Sequence, residues 1–273
     1  MLRSRARLRS GAPLEKPRLR LYRSGVDCVG SQRNTHSMKT KFFLILLAMT
    51  CASIAPKAQD ADAAPVEVDP GNATTAPSDA IALFTGSDFD QWSSVREGQD
   101  IQWLLRDGSM VVTQTGGIVT KQEFGSVQLH VEWATPREMK GASQGRGNSG
   151  VYLQGRYEIQ VLDSYKNPTY PNGQAGALYG YFPPLVNVTR APGEWQTYDI
   201  VFHPPLEGED GIEPGSITVF HNGVLIQDHV PVTGTTTASP MKGAAAKGPL
   251  YLQDHGNPVR FRNIWIREIP AAH

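Results

Sequence analysis

The sequence predicts an all-β protein: a single-domain β-sandwich of jelly-roll type. From residue 81 onward, short segments alternate apolar and polar side chains with a period of two and end at Gly, Pro, Asn or Asp. No amphipathic helix longer than two turns and no internal repeat interrupts this pattern. Some 190 residues of short strands and turns favour two packed sheets, with one face of each sheet filling the core.

Individual strands can be assigned in order along the chain. In SVQLHVEW, residues 126–133, four apolar residues alternate with Gln128, His130 and Glu132. SITVFHNGVLIQDH predicts a hairpin, because Asn222-Gly223 readily adopts the positive φ angles of a tight turn. Further strands are predicted in GVYLQ (150–154), GPLYLQDHG (248–256) and VRFRNIWIREI (259–269).

The N-terminal region has the features of a secretory leader. MKTKFFLILLAMTCASIAPKA, from Met38, combines a basic start, a short apolar run and small residues, as signal peptides do. We therefore expect a periplasmic or secreted protein, with membrane attachment only if Cys51 is lipidated, which its surroundings fit loosely. The predicted divisions are a non-native extension or alternatively a basic arm (1–37), a signal peptide (38–58), a flexible linker (59–80), the jelly-roll domain (81–269) and a tail (270–273).

Charge and cysteine content narrow the possible functions. Without residues 1–58 the chain carries 14 basic and 24 acidic side chains, a net charge of −10, which disfavours nucleic-acid binding. Both cysteines, Cys28 and Cys51, lie in the leader, so the remaining chain has no disulfide, thiol nucleophile or thiolate metal site. The sequence requires no cofactor and shows no metal motif, although a structural or catalytic divalent cation is compatible with it.

The stretch NSGVYLQGRYEIQVLDS, residues 148–164, concentrates the candidate catalytic residues. Glu158 and Gln160 share one face of a strand, and Asp163 reaches that face if a β-bulge absorbs one residue. Laminarinase-type retaining glycosidases place paired carboxylates on such a strand, although Gln160 here replaces the central acid. If the predicted strands share a sheet, their polar faces form a saccharide groove, bordered by the loops 137–147 and 164–184. The candidate catalytic residues are Glu158, Asp163, His255 and Arg262, and the candidate substrate-binding residues are Gln128, His130, Glu132, Asn148, Tyr152, Gln154, Gln160, Tyr179 and Gln253.

The order of several motifs resembles the 3-keto-disaccharide hydrolase domain family, formerly a domain of unknown function with a concanavalin-like jelly roll. The resemblance spans about residues 81–269 and rests on Asn148-Ser149-Gly150, Glu158-x-Gln160 with Asp163, Gln253-x-His255-Gly256 and Phe261-Arg262-Asn263-Ile264. It implies cleavage of glycosides whose sugar a separate sugar 3-dehydrogenase has oxidised at C3. A ketone at C3 acidifies the C2 hydrogen, so that a base can start elimination at C1, and water then adds.

We assign hypothetical roles on this basis. Glu158 or His255 would be the base, Arg262 or His130 the enolate partner, and Asp163 the acid for the leaving group. Two alternatives remain open at this point: a conventional retaining endo-glycosidase using Glu158 and Asp163, and a non-catalytic carbohydrate-binding module.

Overall fold

The computed structural model describes residues 64–72 and 74–270, and fifteen strands lie in this part of the chain. In chain order they are β1 (Ile81–Phe84), β2 (Trp92–Ser94), β3 (Leu104–Arg106), β4 (Ser109–Val111), β5 (Ile118–Phe124), β6 (Val127–Ala134), β7 (Ser149–Leu153), β8 (Tyr157–Val161), β9 (Gln196–His203), β10 (Leu206–Gly208), β11 (Gly211–Glu213), β12 (Gly215–His221), β13 (Val224–Val232), β14 (Gly248–Leu252) and β15 (Arg260–Glu268). Two short 3-10 helices, Ser143–Gly145 and Pro171–Gly173, lie in the long loops. None of the described elements is a helix long and apolar enough to cross a membrane.

Two antiparallel sheets carry the fold. The large sheet has the order β13-β12-β9-β6-β15-β4-β3, with β1 also pairing with β15. The small sheet has the order β2-β5-β14-β7-β8. The strands β10 and β11 form a separate two-stranded ribbon. This arrangement confirms the predicted all-β jelly-roll sandwich.

The core fills the space between the sheets because alternate residues of each strand point inward. From the large sheet, β6 contributes Leu129 and Trp133, and from the small sheet β8 contributes Tyr157 and Ile159, all at most 1% exposed. Each such side chain stabilises the fold by about 1.5–3 kcal/mol relative to its exposed state. The polar residues between them, such as Glu158 and Gln160 on β8, therefore point away from this core.

The hairpin of β12 and β13 turns at Asn222 and Gly223, whose φ angles are +52° and +78°. The predicted hairpin is therefore confirmed.

Part of the region expected to be a flexible linker makes hydrogen bonds and an ion pair. The backbone N–H of Ser78 donates to the Asp69 carbonyl at 2.9 Å, and the Asp69 N–H donates to the Ser78 hydroxyl at 3.0 Å. Asp79 then forms an ion pair with Arg267 on β15. The predicted extension and signal peptide lie outside the described residues.

Candidate active site

A row of side chains crosses the outer face of the small sheet. The strand register places Tyr152 directly opposite Glu158 on one side and Tyr251 on the other. Val119 and Ser93 continue the row across β5 and β2. At about 4.8 Å between strands, these five positions span roughly 19 Å, which is longer than one sugar ring.

A loop segment extends this sheet beyond β8. The Tyr179 N–H donates to the Glu158 carbonyl at 3.1 Å, and the Gln160 N–H donates to the Ala177 carbonyl at 3.0 Å. Because this pairing continues the ladder, Tyr179 lies beside Glu158. The Tyr179 hydroxyl is 2.6 Å from that of Tyr170, so the loop 164–184 brings two phenols to this end of the row.

Two glycines keep the face open between these side chains. A Cβ atom added to Gly150 would lie 2.6 Å from both Glu158 Oε1 and Tyr152 Cε2. A Cβ atom on Gly117 would lie 2.3 Å from Tyr251 Cε2. The tyrosine rings and the carboxylate can therefore lie close to the backbone of the sheet only because these positions lack side chains.

Glu158 has the electrostatic properties of a general base. It is 2% exposed, and burial raises the pKa of its carboxyl to about 7, although a hydrogen bond with Tyr152 acts in the opposite direction. No ion pair of Glu158 occurs among the described residues, and its Oε2 atom has no hydrogen-bond partner there. A buried carboxylate that titrates near neutrality suits proton abstraction.

The neighbouring tyrosines are hydrogen-bond donors at neutral pH. Burial raises the pKa of Tyr152 and Tyr170 well above the usual range of a phenol, and it raises the pKa of Tyr251 to about 12. The negative charge of Glu158 acts in the same direction on all three. All three hydroxyls therefore keep their protons beside the carboxylate.

Three amides line the same face. Gln160 donates through Nε2 to Gln144 Oε1 at 2.8 Å, and Gln253 donates through Nε2 to the Tyr152 hydroxyl at 2.9 Å. Asn148 donates to the Gln144 carbonyl at 2.8 Å. The Oε1 atoms of Gln160 and Gln253 are buried without a hydrogen-bond partner in the described part of the chain. Such acceptors cost about 1–3 kcal/mol each, and sugar hydroxyls would satisfy them.

Asp163 anchors two loops. The strand β8 ends at Val161, and both Val161 and Leu162 are buried in the core, so the strict alternation stops before Asp163. The Asp163 carboxylate accepts hydrogen bonds from Arg146 at 2.5 and 3.0 Å and from the Tyr165 N–H at 3.2 Å. It therefore joins loop 137–147 to loop 164–184.

His255 lies in the exposed loop that follows β14. The adjacent Asp254 accepts from the N–H groups of Gly116 and Gly256, both at 2.9 Å, and fixes the path of this loop. Asn257 in turn accepts from the Asn148 N–H at 3.0 Å. The imidazole thus lies in the loop at the Asn148 end of the small sheet.

The condition for one common groove, that the predicted strands share a sheet, is not met. Gln128, His130 and Glu132 lie on β6 and Arg262 lies on β15, and both strands belong to the large sheet. The core separates this group from Glu158. Alternation gives the face of a strand but not the sheet to which the strand belongs, so the sequence alone leaves this condition open.

Gln154 is also not part of the row. Its amide donates to the carbonyls of Phe124 at 3.1 Å and Ala246 at 3.3 Å, so it joins the end of β7 to neighbouring backbone. Conversely, Gln144 and Tyr170 were not predicted individually. The only sequence signal for them was the length and composition of their loops, which were expected to border the site.

Among the described residues, no group of three or more His, Cys, Asp or Glu side chains is arranged to hold a metal ion.

Residues 79–267 match the family described as the 3-keto-alpha-glucoside-1,2-lyase-like domain. The chain belongs to this family. The match confirms the resemblance seen in the sequence motifs, and its limits lie within two residues of the predicted domain.

Two relatives are consistent with this membership. The chain is 24% identical over 233 residues to the 3-keto-disaccharide hydrolase of Bacteroides thetaiotaomicron, covering 68% of this chain and 77% of that protein. It is 43% identical to a protein from Parabacteroides distasonis assigned as a glycosyl hydrolase, whose crystal structure superposes with a TM-score of 0.72 over 85% of this chain and 100% of that one. A second such structure from this organism, at 22% identity and a TM-score of 0.52, covers 70% of this chain and 94% of its own, and shares the fold. The protein is therefore a carbohydrate-active member of a glycoside-hydrolase-like family.

Proposed function

We propose that the protein cleaves glycosides of 3-keto sugars by elimination and hydration, with Glu158 as the base. The observation that supports this most directly is the buried carboxylate with a pKa of about 7 and an unpaired Oε2. The family description and the name of the Bacteroides thetaiotaomicron relative give the same substrate class.

The reaction balances without an external oxidant. Glu158 removes the proton from C2, and the electron pair forms an enolate with the C3 ketone. As the ketone re-forms, a double bond forms between C1 and C2, the bond from C1 to the glycosidic oxygen breaks, and the leaving group takes up a proton. Water then adds its hydroxyl to C1 and a proton to C2, which gives the free 3-keto sugar.

The other groups near Glu158 would position the substrate and stabilise the enolate. Hydrogen bonding by Tyr152 favours the charged form of the Glu158 carboxylate. In the pair of Tyr170 and Tyr179, one hydroxyl proton lies between the two oxygens, which leaves the other free to donate to the developing enolate. The unpaired amide oxygens of Gln160 and Gln253 would accept from sugar hydroxyls.

The location of the remaining candidates changes the roles expected from the sequence. Arg262 and His130 lie on the other sheet, so the two phenols replace them as enolate partners in this proposal. The Asp163 carboxylate is bound by Arg146, whereas the imidazole of His255 is exposed. We therefore propose His255, and not Asp163, as the proton donor to the leaving group.

A conventional retaining glycosidase has less support. That mechanism needs a second carboxylate that acts on the same glycosidic bond. Asp163 is engaged by a guanidinium, and Gln160 stands where the laminarinase pattern has an acid.

The proposal also requires a sugar 3-dehydrogenase to supply the substrate, because nothing in the elimination creates the ketone. The leader at Met38 is the basis for proposing that both steps occur in the periplasm or outside the cell.

The deciding experiment compares a 3-keto-glucoside with its unoxidised parent in D₂O. We expect sugar release from the keto substrate alone and deuterium at C2 of the product above the level of an enzyme-free control. Glu158→Gln should abolish both signals, whereas the matched variant Gln128→Ala, on the other sheet, should not. Release from the parent glycoside without deuterium at C2 would contradict the proposal and favour the retaining mechanism.

A further inference from the structure

The strand β15 is irregular on both of its edges at the same place. On one edge it pairs with β4 at Arg260 and Phe261 and then with β1 from Ile264 onward, so the partner changes across residues 262–263. On the other edge the register with β6 shifts between Arg262 and Trp265. Asn263, in this interval, has a φ of +45°. Such irregularities redirect side chains and are frequent beside binding sites.

The irregular interval places a polar network on the outer face of the large sheet. Glu132 accepts from Arg262 Nε at 2.6 Å through Oε2 and from Asn263 Nδ2 at 2.9 Å through Oε1. The Asn263 amide also lies 3.4 Å from His130 Nε2, and the other ring nitrogen of His130 is 2.6 Å from Asp199 Oδ1. Each group is therefore held in a defined orientation.

Aromatic rings support this network from two sides. The guanidinium of Arg262 lies 4.0 Å from the centroid of the Trp195 ring. The rings of His130 and Trp265 stack with centroids 5.3 Å apart at an angle of 11°. In the described part of the chain, no hydrogen bond uses the terminal Nη atoms of Arg262, whose side chain is 40% exposed.

A cavity of about 400 Å³ opens at this network. Its walls include the polar Glu132, Arg262 and Asn263 and the apolar Phe84 and Trp265. We propose that this cavity is a second saccharide-binding site, separate from the row at Glu158 and independent of the elimination chemistry. Its volume is within the range of small-molecule sites.

The chemistry of the walls favours a neutral sugar. Sugar hydroxyls both donate and accept, and the cavity offers the Glu132 carboxylate as an acceptor beside the Arg262 guanidinium as a donor, while an apolar wall can cover a ring face. Because Glu132 already neutralises Arg262, the site has no excess positive charge to hold a phosphate or a sugar acid. The core between the sheets means that a ligand here cannot contact Glu158.

Nuclear magnetic resonance titration of the ¹⁵N-labelled protein with maltose and with cellobiose tests this site. We expect saturable shifts of the Trp265 indole N–H and the Asn263 amide, and no comparable response to inorganic phosphate. Glu132→Gln and, as a milder change, Arg262→Lys should each weaken the binding reported by these resonances at least about tenfold. Gln128→Ala, on the same strand and face as Glu132 but not lining the cavity, should leave it unchanged.

Several results would overturn the second site. Saccharide shifts confined to the row of Tyr152 and Tyr251 would do so, as would wild-type binding at Trp265 in both cavity variants. A response to phosphate without a response to either saccharide would also contradict it. Melting temperatures and the dispersion of the amide spectra of the variants would separate lost binding from lost folding.

Discussion

Tyr152 and Glu158 face each other across β7 and β8, and hydrogen bonding by the tyrosine lowers the pKa of the carboxyl. Burial destabilises the charged carboxylate, and this hydrogen bond partly offsets that effect. The geometry therefore places the pKa of Glu158 near 7 through two opposing contributions. Removing either contribution should change the protonation of Glu158 in a defined direction.

Tyr152→Phe should raise the pKa of Glu158 above 7, because it removes the group that stabilises the charged form. Since a general base must be deprotonated, the acidic limb of the pH profile of kcat/KM should move to higher pH, and activity at pH 7 should fall about tenfold. Tyr251→Phe is the matched control, because Tyr251 is not among the groups that shift the pKa of Glu158. An acidic limb at the wild-type pH in Tyr152→Phe would show that Glu158 is not the base.

Glu158→Gln should stabilise the fold above neutral pH while it abolishes catalysis. The pKa of Glu158 is raised from 4.5 to about 7, so its contribution to stability is fully present below pH 4.5 and is lost as the pH rises through 7. A shift of this size corresponds to about 3 kcal/mol at pH 8. Urea unfolding at pH 4.5 and pH 8 should show a variant that gains stability over the wild type only at the higher pH. Equal differences at both pH values would argue against a buried, titrating carboxylate.

His221 should make the protein sensitive to acid. It is 1% exposed and packs against Trp133 and Tyr198, and burial lowers its pKa to about 3, with the charge of Arg190 acting in the same direction. The stability that depends on neutral His221 is present above pH 6.5 and is lost as the pH falls towards 3.

His221→Phe should reduce this acid-dependent loss by several kcal/mol. In the wild type, His221 Nε2 lies 3.2 Å from Gln196 Oε1. In the variant this oxygen would still accept from Asn222 Nδ2 at 2.7 Å and from the Arg190 N–H at 3.0 Å, so it would not lose all its partners. Unfolding free energies measured from pH 7 to pH 4 check the slope. An unchanged slope in the variant would assign the acid sensitivity to other groups.

The sequence predicts the parts of this structure that depend on neighbouring residues. The hairpin at Asn222-Gly223 follows from the turn chemistry of two residues, and the position of Glu158 and Gln160 on the face opposite the core follows from alternation in one strand. Both require only information within a few positions of the chain.

Strand pairing is not local, and here the sequence interpretation was less successful. The row at Glu158 exists because β7 pairs with β14, about 100 residues later, and not with β6, which precedes it. The outward side chains of β6 have the same polar character as those of β7 and β14, so composition could not separate the two faces. Tyr170 was missed for a related reason, since an irregular loop carries no periodicity that would show where its side chains lie.

Alanine substitutions of the two glycines of the site should change kcat and KM differently. Gly150→Ala would place a Cβ atom 2.6 Å from Glu158 Oε1, and we expect kcat to fall about a hundredfold as the base is displaced. Gly117→Ala would instead crowd the ring of Tyr251 at 2.3 Å, so we expect mainly an increase in KM. Steady-state kinetics of both variants on a 3-keto-glucoside provide the comparison. Wild-type constants for Gly150→Ala would contradict the placement of the base.

Asp163→Asn should act on stability more than on proton abstraction. Asp163 and Arg146 form a buried pair with side-chain exposures of 3% and 12%, and removing the acid leaves the guanidinium without its charged partner. Breaking such a pair typically costs about 3–5 kcal/mol. Urea unfolding should show this loss, while the folded variant should still exchange the C2 hydrogen of a 3-keto-glucoside with D₂O and release the sugar. If the variant were as stable as the wild type and exchanged C2 without releasing sugar, Asp163 would be the acid for the leaving group, and the role proposed for His255 would be wrong.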